Sequence, residues 1–124
     1  GLPLIGLGQL PAACTAEELA AQLASVLQQE PCVLKAASNK PIKRLAWCTG
    51  AAQDYLSLAA EFGIDAFITG EVSERTTAEA RELDVHFYAA GHHATERFGV
   101  QAIGQHCAEK FSLEHHFVDI ANPI

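Results

Sequence analysis

Residues 85–97 read VHFYAAGHHATER. An apolar run from Val85 to Ala90 meets Gly91, and the polar, well-spaced residues of a helix follow at once. A short run that is nearly all apolar, His86 apart, is what a strand covered on both faces looks like. The same order occurs twice upstream. RLAWCTG (44–50) reads as a strand closing on Gly50, followed by AAQDYLSLAAEFG (51–63) as a helix with Leu56, Ala59 and Ala60 on one side and Gly63 as its C-cap. DAFITGE (65–71) reads as a strand containing Gly70, followed by SERTTAEARELD (73–84) as a helix with capping-box spacing from Thr76 to Glu79. Strands alternating with helices predict crossover connections. The expected fold is therefore α/β, with a layered, mostly parallel or mixed sheet and flanking helices. Gly50, Gly70 and Gly91 should open on one rim, the end of such a sheet where ligands collect.

Outward from this centre the patterning continues. HHATERFGVQAIGQHCAEKF (92–111) predicts a long helix, and LEHHFVDI (113–120) predicts a last strand. Toward the N-terminus, Leu4 to Leu10 reads as a strand interrupted by Gly6 and Gly8. Thr15 and Glu18 have capping-box spacing, with Leu19, Leu23, Val26 and Leu27 behind them at helical intervals and Pro31 as the stop. CVLKAAS (32–38) reads as a short strand and SNKPIK (38–43) as a polar, proline-containing linker. The chain divides on this reading into a connecting strand–helix–strand segment, 1–42, and an α/β lobe, 43–124.

The charge balance restricts function. Eight Lys and Arg against fifteen Asp and Glu give a net charge of −7, and no basic face is available to replace counterions on duplex nucleic acid. No apolar run approaches the ~18 residues of a membrane span. Cys14, Cys32, Cys48 and Cys107 form no C-x-x-C pair and are expected as free thiols, packed as small core residues in a reducing, cytoplasmic setting. The chain contains no methionine and reads as a piece of a longer protein.

His92 and Glu96 stand four residues apart at the start of the long helix. That spacing puts an imidazole and a carboxylate on one helix face, where they can share a cation. Zinc, iron, manganese and cobalt all suit such donors. Two alternatives need no metal: Glu96 can stabilise a first helical turn by its charge alone, and Thr95 as N-cap would start the helix later and spoil the shared face. Glu71, in ITGE on the same predicted rim, is the candidate catalytic residue, handling a proton or steadying a ligand. Its alternative role is a helix-start carboxylate for the segment that follows. His86, His106, His115 and His116 read as structural or solvated side chains.

AWCTG, DAFITGEVSE, HFYAAGHHATER and the closing D-I-x-N-P, between about Arg44 and Pro123, resemble the C-terminal half of the NIF-three-like family. Residues before Arg44 match only loosely. The resemblance implies one half of a two-lobed fold, assembled as a hexameric ring of identical chains around dinuclear sites, each holding two divalent metal ions. The family's GHHxTE-like motif falls on His92 and Glu96 as ligands, with His93 not expected to ligate. The other implied ligands, a His-His pair and an aspartate, belong to an N-terminal half outside these residues. This chain alone is then expected to bind metal weakly or not at all, and the face toward the other half should be apolar. The implied activity of the full-length protein is hydrolytic or cyclohydrolase-like, on a nucleotide or related small molecule. The alternative is a non-catalytic, metal-containing ring that serves as a scaffold.

Overall fold

The alternating strands and helices close into one mixed sheet. The computed structural model describes residues 4–120 and 122. In chain order it contains β1 (Gly6–Cys14), α1 (Ala16–Leu27), β2 (Cys32–Leu34), β3 (Ile42–Trp47), a 3-10 turn at Gln53–Tyr55 running into α2 (Leu56–Ala60), β4 (Ala66–Thr69), α3 (Thr76–Glu82), β5 (His86–Ala89) and α4 (His92–Phe111). The strands lie in the order β1-β3-β4-β5-β2. The central three are parallel, as their intervening helices require. Both edges are antiparallel and come from the first part of the chain.

Each face of the sheet is covered. Phe67, Phe87 and Ala89 pack with Leu56, Ala59 and Ala80 beneath α2 and α3. Ala66 and Tyr88, on the alternate positions, pack with Ala16 and Leu19 of α1 on the other face. Alternation along β5 thus has no polar side, which is why its sequence shows none. His86 is fully buried within this strand. Its Nδ1 accepts from the Ala36 amide at 3.3 Å and its Nε2 lies 2.8 Å from the Lys40 carbonyl. One acceptor and one donor satisfy a neutral imidazole, so His86 is structural, as expected. The start of α1 also follows the sequence: Thr15 Oγ1 accepts from the Glu18 amide and Glu18 Oε2 from the Thr15 amide.

Four expectations are corrected. Residues 113–120 form no strand; β2 occupies the sheet edge beside β5, and the segment returns along α4 instead. β1 is not interrupted by Gly6 and Gly8, because the missing Cβ atoms leave room for the Trp47 indole to lie over both. Its irregularity falls between Gln9 and Cys14, where Pro11 has no N–H for the ladder. Thr76 is not an N-cap; it lies in the first turn of α3, its hydroxyl 3.2 Å from the Ser73 amide. The thiols are free, but only two pack as expected: half-buried Cys48 and Cys14 lie against the two core clusters, whereas Cys107 is half-buried outside them and Cys32 is exposed. No helix among the described residues is long and apolar enough to cross a membrane.

Candidate functional site

The three strand-ending glycines are joined by backbone hydrogen bonds. The Gly70 amide donates to the Gly50 carbonyl at 2.8 Å, and the Gly91 amide to the Gly70 carbonyl at 3.0 Å. Buried Thr69 continues the lacing, its hydroxyl donating to the Gly50 carbonyl and accepting from the Ala52 amide. The rim is therefore crowded with backbone, and glycine is required there. A Cβ on Gly70 would lie 2.6 Å from His92 Cα and 2.7 Å from the Gly50 carbonyl oxygen. At Gly50, with φ at +70°, a Cβ would fall on Glu96 Oε1 and 3.1 Å from His92 Nε2.

Helix α4 starts at His92, directly after Gly91. Thr95 is not its N-cap. Its hydroxyl accepts from the Gly50 amide at 3.1 Å and donates back to the His92 carbonyl, tying the first turn to the end of β3. His92 and Glu96 consequently do share a face, with Nε2 and Oε2 3.2 Å apart. Glu71 approaches from the other side, its Oε1 2.6 Å from His92 Nδ1. The Glu71 hydrogen bond, against a smaller opposing effect of burial and with help from Glu96, holds the imidazole pKa above its ordinary value. An imidazole between two carboxylates can donate from both nitrogens when protonated. When it loses the Nε2 proton, the Glu71 bond keeps the remaining one on Nδ1 and leaves Nε2 as a lone pair facing Glu96. Such outer carboxylates fix the tautomer of ligating histidines.

These residues line one cleft of about 530 Å³, together with His93, Arg97, Val100, Phe117, Val118 and Asn122. His93 turns away from Glu71 and Glu96. Its Nε2 lies 2.6 Å from Asp119 Oδ1, while Arg97 Nη1 donates to Asp119 Oδ2 at 3.0 Å. Those two contacts, led by the His93 hydrogen bond and outweighing burial, hold the Asp119 carboxyl below its ordinary range.

The structure thus brings together all three sequence candidates, Glu71, His92 and Glu96, and gives Glu71 no part in starting α3, which begins five residues later. His106, His115 and His116 do not line the cleft. As donors toward a cation the three make an incomplete set: among the described residues no group of three or more His, Cys, Asp or Glu side chains could hold a metal ion. What fits is a pair, His92 Nε2 and Glu96, over the hollow that Gly50 leaves. Sequence reading did not find Thr69 and Thr95, which anchor the rim, or Asp119. Each acts on a residue more than fifteen positions away, beyond the reach of spacing rules. The strand-ending glycines were the available signal for the first two.

Comparison with known proteins follows the same residues. The family model for Duf34/NIF3 (NGG1p interacting factor 3) matches residues 2–123. A protein of Vibrio cholerae called GTP cyclohydrolase 1 type 2 homolog is 49% identical over 111 residues, covering 89% of this chain and 44% of its own length. A Yersinia pestis protein of the same description is 61% identical over 82 residues, 66% of this chain and 33% of its own. The solved structure of protein ybgI, described as of unknown function, superposes with a TM-score of 0.94 at 45% identity, covering 98% of this chain and 49% of that one. The chain spans about half the length, or less, of the curated relatives it matches.

Proposed function

The chain belongs to the Duf34/NIF3 family, and we propose that its rim cleft is one part of a divalent-metal site whose other donors come from outside these residues. His92 Nε2 and Glu96 would hold the ion, and Glu71 would orient the imidazole through Nδ1. The observation that carries this reading is the Glu71–His92–Glu96 row, with contacts of 2.6 and 3.2 Å beside a glycine where any Cβ would block the pair. Loading would release the Nε2 proton, because a ligating histidine must be neutral.

In the longer protein the site serves a hydrolytic or cyclohydrolase-like reaction on a nucleotide or related small molecule. Two divalent ions supply Lewis acidity to a carbonyl or phosphoryl group. This chain's residues bind and orient: Thr95 and Gly50 keep His92 and Glu96 at the cleft, and Glu71 keeps a proton on Nδ1. The description of the chain's relatives as GTP cyclohydrolase 1 type 2 homologues supports a cyclohydrolase-like reading by analogy alone, since a fold hosts many chemistries. Four free thiols are in keeping with a cytoplasmic setting.

A scaffold reading has its own observation. His92, Glu96, Val100, Ile103, Cys107 and Phe111 recur at helical spacing on one face of α4, and Val100, Ile103 and Phe111 are at least 60% exposed. A face like this suits a permanent neighbour, either another part of a longer chain or another copy in a homo-oligomeric ring.

Calorimetric titration with zinc separates these possibilities. The 124-residue chain should take up zinc weakly or not at all, whereas full-length ybgI protein should bind it stoichiometrically. In that longer protein the changes equivalent to Glu96→Ala and Glu71→Gln should abolish and weaken binding respectively, the latter by about 10–100-fold. Stoichiometric binding at micromolar or tighter affinity by this chain alone would overturn the part-site. Nucleotide hydrolysis unaffected by loss of metal would overturn metal-dependent catalysis at this site, and a ring that persists alongside it would favour the scaffold.

A further inference from the structure

The His92–Glu96 pair uses only one side of the cleft. One residue further along each turn, about 100° around α4, His93 and Arg97 face the same space. Their nitrogens converge on the two oxygens of a single carboxylate, at 2.6 and 3.0 Å. Paired N–H donors of this kind recognise oxyanions, carboxylate and phosphoryl alike. Arg97 is set for the task. Its side chain is only 17% exposed, and Nη2 donates to the Leu27 carbonyl at the end of α1 at 2.7 Å.

The carboxylate now in place belongs to Asp119, which sits on an extended segment with no helix or strand. The Leu113 amide bonds the Ala108 carbonyl, His115 lies over Gly104 where a side chain would collide with it, and Asp119 reaches the front of the helix. Four extended residues cover about 13 Å, and the seven to eleven helical residues from Gly104 back to Arg97 and His93 cover about 10–16 Å. The strap therefore runs antiparallel along α4 and is nearly taut. All its residues except His115 are exposed. Segments with few buried contacts and no backbone ladder open most readily.

We propose that His93 and Arg97 form an oxyanion subsite beside the His92–Glu96 pair, occupied in this structure by the chain's own Asp119, and that a phosphoryl or carboxylate group of the ligand takes the subsite by displacing the strap. The cleft then has a cation-holding side, Glu71, His92 and Glu96, and an anion-holding side. This suits a small molecule that carries an acidic group next to its metal-facing oxygen. The inference deepens the metal reading by adding a ligand class, but the subsite itself needs no metal.

Inorganic phosphate is the probe, titrated calorimetrically into the whole chain in EDTA, with chymotryptic cleavage after Phe117 reporting release of the strap. Asp119→Ala should bind phosphate about tenfold more tightly than wild type, since an internal occupant lowers apparent affinity by the fraction of time it vacates the site. Adding Arg97→Ala to Asp119→Ala should abolish that binding. In wild type, saturating phosphate should speed cleavage toward the rate of Asp119→Ala, and in the double variant it should change nothing. Equal affinity in wild type and Asp119→Ala, or undiminished binding in the double variant, would overturn the proposal, the latter marking an adventitious ion only. Should Asp119→Ala fail to fold, Asp119→Asn is read the same way, with affinity between the two. Because EDTA removes metal throughout, failure here leaves the metal reading standing, and failure of zinc binding leaves this one standing.

Discussion

The two halves of α4 look alike as helix and differ in what holds them. In the front half, Ala94 is buried against Leu27 and Ala90, Thr95 is bonded to Gly50, and Arg97 to Leu27. In the rear half no residue is buried; Ile103 and Phe111 stand open, and the return segment meets it where the Leu113 amide bonds the Ala108 carbonyl and His115 crosses Gly104. The front is a tertiary object, placed by the sheet rim. The rear stands on its own backbone bonds, which are marginal for a helix of this length in water. The candidate site residues sit where the backbone is tied down, as a pair of donors with fixed geometry would require, whereas an open apolar face needs only to be presented.

Three substitutions would break or sharpen this contrast. The largest effect is expected for Gly70→Ala, whose Cβ would meet His92 Cα and the Gly50 carbonyl, backbone atoms that cannot rotate away. A loss of about 3 kcal/mol of unfolding free energy is expected, measured by urea denaturation; a loss below about 1 kcal/mol would mean the rim relaxes freely and is not the anchor described. Thr95→Val keeps the shape and deletes the hydroxyl, leaving the Gly50 amide without its acceptor. That should cost about 1 kcal/mol and speed hydrogen exchange at Gly50, while a neutral result would shift the anchoring of α4 to Ala94 and Arg97. The smallest effect is expected at the rear. Ile103→Ser should change stability by less than about 0.5 kcal/mol in the dilute chain, and sedimentation should show any self-association reduced. A larger loss would show that this face is already covered in solution.

Much of this architecture was legible residue by residue. Val85 to Ala90 followed by Gly91, and its two upstream counterparts, announced the parallel core and a shared rim, since both depend on short-range periodicity and on glycine's lack of a Cβ. The four-residue spacing of His92 and Glu96 placed them on one face once the helix start was settled, and a resemblance to known family motifs supplied the expectation of a metal. The same rules failed at residues 113–120. The apolar residues Leu113, Phe117, Val118 and Ile120 predict a last strand there, but Phe117 and Val118 line a cleft and Asp119 faces a helix. Apolar content records that a segment has something to cover; it does not record whether a sheet edge or a helix lies against it.

The sequence by itself determined the strand–glycine–helix units, and with them the α/β layering, the rim and a face carrying an imidazole and a carboxylate. Only the tertiary structure decided that Glu71 bonds His92 rather than opening α3, that Thr95 ties the rim to Gly50, and that Asp119 closes on His93 and Arg97. Those partners stand 21, 45 and 26 positions apart. Helical and strand periodicities extend over a few residues, whereas a hydrogen bond between distant side chains is chosen by how whole elements pack, so no local pattern contains it.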